Sequence, residues 1–426
     1  MTYSELATFQ SLKIRMGKED HFVNLYECGS FRKIEKAIEL ILKTSSLPSK
    51  KSSTILLKPN FNSDMIGLTG NTTDLRIVAT VIRFLKRTGY RNITIGDGTS
   101  SGFLNAGINV MARLGVHQLA RKFETNVVDF NNLDSNNVNV NIGKENVKIA
   151  DICINNDFFI NLPKLKTHSE ASLSACSKNL IGCVVGKDKQ KIHKNLPENI
   201  INLVTVLEPD LNIVDALIAM DGTGQSRGNP KKMNHIIVGD HALTTDVICS
   251  KLIGLEESKV PYLEIARKKG ITQILIDEIN ESLSHLDYTF EKPTPSLLFR
   301  IINNPRYRWI FSRIRYSFLS SLFSSNLVSR VLFGLGARQD FFNKNDAKIT
   351  TFSLDMNRCI ECGICDEYCP MKIHLPTDLE TNKKCCRCLY CYFVCPTEAI
   401  RLNGNIGYLS YQIDEYRERI IKQVRL

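Results

Sequence analysis

Two cysteine-rich stretches decide how the C-terminal part of this chain folds: CIECGICDEYCP, residues 359–370, and CCRCLYCYFVCP, residues 385–396. Each stretch contains three cysteines that are separated from one another by two residues. A fourth cysteine follows after three further residues, and a proline comes directly after it. Nine of the 14 cysteines lie between residues 359 and 395, and the other five are scattered singly. So dense a group in a long chain is typical of metal binding and not of a disulfide framework.

This spacing resembles that of bacterial ferredoxins, which carry two 4Fe–4S clusters. Three closely spaced thiolates hold three corners of one cluster, and the fourth cysteine, turned away at the proline, binds the other cluster. The predicted ligands of the first cluster are Cys359, Cys362, Cys365 and Cys395. The predicted ligands of the second cluster are Cys385, Cys388, Cys391 and Cys369. We therefore predict a ferredoxin-like module that transfers electrons.

Two structural zinc sites are the alternative, because cysteines two residues apart also suit zinc. The same rhythm occurs twice and is closed both times by Cys-Pro, which favours the clusters. Gly363 is expected to permit the tight wrap of the first loop. Cys386 is an additional cysteine, for which an ordinary buried position is expected over ligation.

The bulk composition narrows the class of protein. The 426 residues suggest two or three folding units. There are 55 Lys and Arg against 44 Asp and Glu, a net charge of +11, which suits an anionic partner or ligand. No nucleic-acid-binding motif accompanies this charge, so nucleic acid is not an expected partner.

The start of the chain lacks the apolar core of a signal peptide, and no apolar run reaches the length of a membrane span. We expect a cytoplasmic protein.

Residues 20–290 alternate short β-branched runs with helix-like segments, which is typical of an α/β fold with a mostly parallel sheet flanked by helices. The predicted strands are Ile55–Leu57, Ile93–Ile95, Val127–Val128, Phe158–Leu162, Ile213–Leu217 and Ile236–Val238. Asp74–Arg87 has apolar residues at helical spacing, and Gly89 stands where a C-cap would lie.

We expect four parts: an α/β domain at 1–290, a linker with a basic aromatic helical segment at 291–345, a small α+β ferredoxin-like domain at 346–406, and a C-terminal helix at 407–426. Within the second part, residues 297–338 contain seven arginines and no acidic residue. Two helices packed on the main domain are the favoured interpretation. Docking on a partner or peripheral contact with a membrane is the alternative.

Several predicted strands run into polar residues at their carboxyl ends. In an open parallel sheet these ends share one rim, where ligands bind. The predicted catalytic residues are Lys164, Lys166, His168, Asp215 and Asp221, and the predicted cofactor-binding residues are Lys58, Asn60 and Asp97. The lysines suit a carboxylate or phosphate, and His168 suits proton transfer near neutral pH. No dinucleotide or P-loop motif is present, so neither NAD nor ATP is inferred.

The amino-acid sequences of several segments, and their order along the chain, resemble the family called domain of unknown function 362. The matching segments are Leu56–Phe61, Thr72–Val78, Ile95–Ser100, Ile160–His168, Ser177–Lys189, Ile213–Gly224 and Gly239–Ile248. The last segment, Gly239–Ile248, departs from the family, because the resemblance leads us to expect a start that is more acidic and contains a proline. Members often carry an attached ferredoxin domain, so the resemblance implies an iron–sulfur protein but names no reaction.

These observations favour an oxidoreductase that passes electrons through two clusters to an anionic substrate or a further, unidentified cofactor at the rim, with an electron donor or acceptor protein as partner. A non-enzymatic carrier or adaptor that docks a partner enzyme is the alternative. A binding protein with purely structural clusters is the third hypothesis.

Overall fold

The computed structural model describes residues 9–16, 19–131, 136–272, 286, 288–294, 296–302, 325–375 and 383–425. The strands in these residues are β1 Phe9–Met16, β2 Glu19–Glu27, β3 Ile55–Pro59, β4 Ile93–Asp97, β5 Asn126–Asp129, β6 Asn137–Ile142, β7 Glu145–Ala150, β8 Phe158–Leu162, β9 Lys164–His168, β10 Ser172–Ser174, β11 Leu211–Asp221, β12 Asn229–Gly239, β13 Lys348–Leu354 and β14 Ile400–Asn405. The helices are α1 Phe31–Thr44, α2 Leu75–Arg87, α3 Ser101–Asn105, α4 Val110–Arg113, α5 Val116–Phe123, α6 Cys176–Asn179, α7 Lys189–Ile192, α8 Leu196–Leu207, α9 Ala242–Leu252, α10 Pro261–Lys268, α11 Leu297–Ile302, α12 Asn326–Gly334, α13 Ile364–Glu367, α14 Tyr390–Val394 and α15 Leu409–Arg425.

The main sheet changes from antiparallel to parallel along its strand order, β1-β2-β12-β11-β8-β3-β4-β5. The strands from β11 to β5 run parallel, while β1, β2 and β12 extend the sheet in antiparallel fashion. Successive residues of β3 point to opposite faces: Ile55 and Leu57 lie in one hydrophobic cluster and Leu56 in the other. The predicted α/β class, with a mostly parallel sheet between helices, is confirmed.

The predicted strands are present, and the helix predicted at Asp74–Arg87 is present as α2. Asp74 caps α2, because its side-chain oxygen accepts a hydrogen bond from the backbone N–H of Arg76 at 2.8 Å. Gly89 lies just beyond the helix at φ +98°, a conformation that glycine adopts without strain. Helix α2 carries ten buried residues and therefore packs deep in the core.

Two strand ends differ from expectation. β8 does stop at Leu162, because Pro163 has no N–H for the sheet, but the chain resumes at once as β9, which pairs with β11 and β10. β11 continues to Asp221, so Asp215 lies inside a strand and not at its end. Lys164, Lys166 and His168 are accordingly held on a strand and not on a loop.

The cysteine-rich part packs directly on the α/β domain. Its strands β13 and β14 pair in antiparallel fashion, and the predicted C-terminal helix is present as α15. Gln412 of α15 accepts from the N–H of Ile66 at 3.1 Å and donates to the carbonyl of Asp64 at 2.8 Å. Tyr390 and Tyr416 belong to the same hydrophobic cluster as helix α2. The two parts therefore share a core.

The basic aromatic segment is described only at its two ends, as α11 and α12, and its predicted central part, 303–324, lies outside the described residues. A hydrogen bond joins the two ends of the segment to each other: the Ser296 hydroxyl donates to the carbonyl of Gly336 at 2.6 Å. Leu297, Leu327 and Leu335 are 72%, 74% and 63% exposed. Among the described residues, no helix has the length and apolar character that crossing a bilayer requires.

Candidate functional site

Two buried ion pairs hold the predicted rim together. The Lys58 ammonium lies 2.8 Å from the Asp97 carboxylate, and the Lys164 ammonium lies 2.8 Å from that of Asp215. All four side chains are at most 2% exposed. Charges this deeply buried persist only when they are paired and hydrogen-bonded. These four residues therefore join neighbouring strands, and their charges are already matched within the protein.

One glycine makes room for the first pair, and another makes room for the neighbouring Lys189. A Cβ on Gly182 would lie 2.3 Å from the Asp97 carboxylate and 2.7 Å from the Lys58 ammonium. A Cβ on Gly98 would lie 2.6 Å from the ammonium of Lys189. All three distances are far inside van der Waals contact, so glycine lets these loops lie close to the pair and to Lys189.

Lys166 differs from the other rim lysines because oxygen atoms of asparagines surround it. Its ammonium donates to the side-chain oxygens of Asn60 at 2.7 Å and Asn62 at 2.9 Å, and to both the backbone and side-chain oxygens of Asn71. Burial, followed by the nearby charge of Lys178, lowers the pKa of Lys166 well below that of an ordinary lysine. The rim thus holds an amine that the asparagine oxygens position and whose pKa burial lowers.

A ladder of amides connects Asn60 to the centre of the sheet. Asn60 donates to Asn179, Asn179 to Asn161, and Asn161 to Asn212, each at 2.8 Å. Every one of these side chains is buried. Buried amides that satisfy one another fix a unique arrangement. The ladder therefore orients the Asn60 oxygen that receives Lys166.

His168 is held in one tautomer at the end of β9. Its Nδ1 accepts from the backbone N–H groups of Glu170 at 3.0 Å and Ala171 at 3.3 Å, so the ring proton is on Nε2. Burial, and then the charge of Lys178, lowers the pKa of His168 well below its ordinary value. The imidazole is thus neutral at physiological pH and can offer an Nε2–H to a ligand.

Lys178 completes this group and was not predicted as a site residue. It lies on α6 in the segment Ser177–Lys189, and its charge acts on both Lys166 and His168. Burial lowers the pKa of Lys178 to about 8, against the opposing effect of the Glu170 and Asp340 carboxylates. A lysine within a matched family segment was the available signal, but its proximity to the rim depends on how α6 packs.

Lys178 is expected to react as an amine at unusually low pH. Because its folded pKa is about 8 and not 10.5, roughly half of it is neutral at pH 8, where an ordinary lysine is almost fully protonated. Trace acetylation followed by mass spectrometry should give a labelling midpoint near pH 8 at Lys178. Exposed Lys422 provides the reference curve in the same sample. A Lys178 midpoint above pH 10 would contradict the assignment.

Asp221 stands apart from the group around Lys166. Its carboxylate accepts from the backbone N–H of Gly222 at 2.7 Å and of Glu291 at 2.6 Å, and it lies 3.7 Å from the Lys231 ammonium. Among the described residues it makes no hydrogen bond to another predicted site residue. Asp221 therefore ties the end of β11 to the segment that follows the α/β domain.

The cysteines line two cavities, and each cavity contains one of the two predicted sets. The first encloses about 200 Å³ and is lined by the cysteines at 359, 362, 365 and 395. The second encloses about 30 Å³ and is lined by those at 369, 385, 388 and 391, together with buried Cys386. Each cavity is thus lined by three cysteines of one motif and the fourth cysteine of the other motif, which is the arrangement that crossed ligation requires.

The two motifs also repeat each other in backbone conformation. Left-handed φ angles occur at Glu361 and Gly363 of the first motif and at the equivalent Arg387 and Leu389 of the second. Beyond each Cys-Pro the same holds for Lys372 and Glu398. Residues other than glycine rarely adopt this conformation without a strong local demand. The predicted tight wrap at Gly363 is present at φ +69°.

Backbone N–H groups point at three of the cysteine sulfurs. The N–H of Ile373 lies 3.5 Å from the sulfur of Cys369, and that of Ala399 lies 3.2 Å from the equivalent Cys395. The N–H of Arg387 lies 3.3 Å from the sulfur of Cys385. Such donors stabilise thiolates and are one of the determinants of cluster potential.

The cysteines around the two cavities are the ligand type that two 4Fe–4S clusters would need. Among the described residues, no three His, Cys, Asp or Glu side chains meet closely enough to hold one ion. Cluster ligands, by contrast, surround the inorganic core from its corners and line a cavity. The first cavity has both the cysteine ligands and the space for a cluster. The second cavity has the ligands, but its volume of about 30 Å³ is far below the roughly 200 Å³ of the first, so its loop would have to open to admit a cluster.

The second cysteine loop reaches the rim through one side chain. Tyr390 lies between Cys388 and Cys391, and its hydroxyl accepts from the N–H of Leu75 at 3.1 Å. The preceding N–H, of Asp74, donates to Asp215 at 2.7 Å, and Asp215 pairs with Lys164. A short series of hydrogen bonds therefore joins this loop to the buried rim.

Comparison with known proteins places the rim in a described family segment. Residues 55–251 match the family described as Domain of unknown function (DUF362), which confirms the predicted resemblance over that range. A thylakoid-associated protein of Synechocystis sp. is 25% identical over 253 residues, 55% of this chain and 74% of that protein. The lactate racemase apoprotein from Thermoanaerobacterium thermosaccharolyticum is similar at a TM-score of 0.32 and 10% identity, over 59% of this chain and 63% of that chain, less than two thirds of its length.

Proposed function

We propose that this protein is an iron–sulfur oxidoreductase that carries electrons through two 4Fe–4S clusters to a substrate at the rim of its α/β domain. The observation that carries the proposal is the contact of Tyr390 with the N–H of Leu75. It connects the loop of Cys388 and Cys391 to the Asp215–Lys164 pair through adjacent hydrogen bonds.

When bound, each cluster would supply one-electron transfer at a potential set by its surroundings. The chain's own residues hold and shield it. The N–H groups of Ile373 and Ala399 would stabilise the thiolates of Cys369 and Cys395. Buried Leu389 and Tyr390 keep water from the second loop on the side of the rim.

The two cysteine cavities differ in exposure, and this suggests a direction for the electrons. Cys362 is exposed, and Ile360 beside it is 64% exposed. Cys388 and Tyr390, in contrast, are buried against the α/β domain. We assign the first cavity to the docking side of a protein electron donor and the second to delivery at the rim.

The rim suits an anionic substrate. The charge of Lys178 lowers the pKa of both Lys166 and His168, whereas carboxylates match the charges of the other rim lysines, Lys58 and Lys164. The Nε2–H of His168 can donate to a ligand oxygen, while the lowered pKa of Lys178 permits it to accept a proton near pH 8.

A non-enzymatic carrier or adaptor is the second candidate function. The burial of the rim favours it: Lys166 is 2% exposed, and each of its hydrogen bonds already ends on an asparagine oxygen. In that case the amides and ion pairs only stiffen the domain on which a partner enzyme docks.

We also propose that the protein is cytoplasmic and makes peripheral contact with a membrane. Its support is the exposure of Leu297, Leu327 and Leu335 beside a segment of seven arginines without an acidic residue. Apolar side chains with basic neighbours suit an anionic lipid surface.

Anaerobic reconstitution tests the proposal. The protein is expected to bind about eight iron atoms and about eight sulfides per chain, the content of two 4Fe–4S clusters, and to give an EPR signal after reduction. A protein with no reducible cluster would rule out both the oxidoreductase and the carrier. To separate these, His168→Ala and Lys166→Ala are compared with the parent. Loss of substrate turnover with unchanged EPR supports the enzyme, whereas unchanged turnover by a partner enzyme supports the carrier.

A further inference from the structure

A third cavity, of about 350 Å³, lies between the α/β domain and the first cysteine loop. Its walls include Lys232 and Asn234 of β12, Arg76 of α2, and Cys362 and Tyr368 of the cysteine-rich part. The volume is at the lower end of the range for small-molecule sites. None of the predicted rim residues lines this cavity, so it is separate from the group around Lys166.

Lys232 supplies an unmatched positive charge to this cavity. Burial lowers its pKa, and no carboxylate acts in the opposite direction. Within the described part of the chain its ammonium makes no hydrogen bond or ion pair. Its ammonium is therefore available to pair with a bound anion.

The other charged side chains of the cavity have partners within the protein. The Arg76 guanidinium pairs with Asp74 at 2.7 Å and stacks over Tyr368 at 4.1 Å. The Glu367 carboxylate accepts the backbone N–H of Phe31 at the start of α1, where the helix dipole favours a negative charge. Burial raises the pKa of the Cys28 thiol to about 12, so Cys28 adds no charge. Lys232 is therefore the cationic side chain of this cavity that has no partner among the described residues.

The backbone is irregular at this wall. Between Lys232 and His235, β12 has one residue more than the facing segment of β11, which forms a bulge. Asn234 lies in it at φ +56°. Among the described residues, its side-chain amide makes no hydrogen bond. Bulges redirect side chains and are frequent beside binding sites. The bulge brings both Lys232 and the Asn234 amide to the same cavity.

We propose that this cavity binds a small organic anion, whose carboxylate or phosphate group pairs with Lys232 and accepts a hydrogen bond from Asn234, and whose remaining part lies against Cys362 and Tyr368. The proposal concerns binding alone, so it stands or falls independently of electron transfer. Its position beside Cys362 gives such a ligand contact with the first cysteine loop.

Calorimetric titration of the full-length, cluster-loaded chain with inorganic phosphate and with citrate at low ionic strength tests the proposal. The parent is expected to bind at least one probe, and Lys232→Gln is expected to weaken that binding at least tenfold. Lys232→Arg should retain it, and Lys422→Gln, which removes an exposed charge outside the cavity, should match the parent. Binding of neither probe, or equal binding by Lys232→Gln, would overturn the proposal.

A measurement on the parent protein removes any dependence on how the variants fold. Trace amine acetylation is followed at Lys232 and at Lys422 with and without the bound probe. The probe is expected to slow labelling of Lys232 at least threefold and to leave Lys422 unchanged. Equal labelling of Lys232 in both samples would mean that the anion binds elsewhere, and the assignment would be wrong.

Discussion

Replacing Cys369 and Cys388 together by alanine is expected to remove one cluster and leave the other intact. The two cysteines belong to different motifs but line the same cavity, so the crossed arrangement takes both missing thiolates from the second cluster. The iron content after anaerobic reconstitution should fall from about eight to about four atoms per chain. The EPR signal of one intact cluster should persist after reduction.

The matched control removes two cysteines of one motif, Cys365 and Cys369, which line different cavities. With crossed ligation neither cluster keeps four thiolates, and the parental EPR signal is expected to disappear. If each motif instead held its own cluster, the outcomes would be reversed: Cys365→Ala with Cys369→Ala would spare one cluster, and Cys369→Ala with Cys388→Ala would spare none. That reversal would contradict the crossed assignment.

Replacing Asp215 by leucine is expected to destabilise the folded protein by about 3–5 kcal/mol, because it leaves the Lys164 ammonium as an unpaired buried charge. Both side chains are fully buried and 2.8 Å apart. Asp215 also accepts the N–H of Asp74, so the start of α2 loses a partner too. Urea denaturation monitored by circular dichroism measures the change.

Two controls accompany this prediction. Adding Lys164→Met to Asp215→Leu should recover part of the loss, because the unpaired charge is gone while the N–H of Asp74 still lacks its acceptor. Glu39→Gln breaks an exposed pair with Lys43 and should cost less than about 1 kcal/mol. An Asp215→Leu protein within 1 kcal/mol of the parent would show that the pair does not support the fold.

The two halves of the rim have different properties. Lys58, Lys164, Asp97 and Asp215 form ion pairs between strands, and their removal is expected to affect stability first. Among the described residues, Lys166, His168 and Lys178 form no such ion pair, and their pKa values are lowered. Perturbed groups that gather in one place are more typical of functional sites than of scaffolds. Substrate chemistry is therefore best sought at these three residues.

The sequence by itself determined the features that depend on neighbours along the chain. Strand positions follow from short β-branched runs, as in Phe158–Leu162, and α2 follows from apolar spacing between Asp74 and Gly89. The two cysteine motifs have a fixed spacing, so their repeated left-handed backbone at Gly363 and Leu389 is a local property as well. Each of these signals lies within about a dozen residues.

Only the tertiary structure decided which polar residues meet. Lys58 and Lys166 look alike in the sequence, yet one pairs with Asp97 and the other is surrounded by asparagine oxygens. Lys178 and Lys232 gain their lowered pKa values from burial that distant segments create. Desolvation and charge pairing depend on distance in space, and the chain brings these residues together from positions far apart in sequence. Spacing therefore predicted where cysteines would gather, and packing determined which lysines remain available to a ligand.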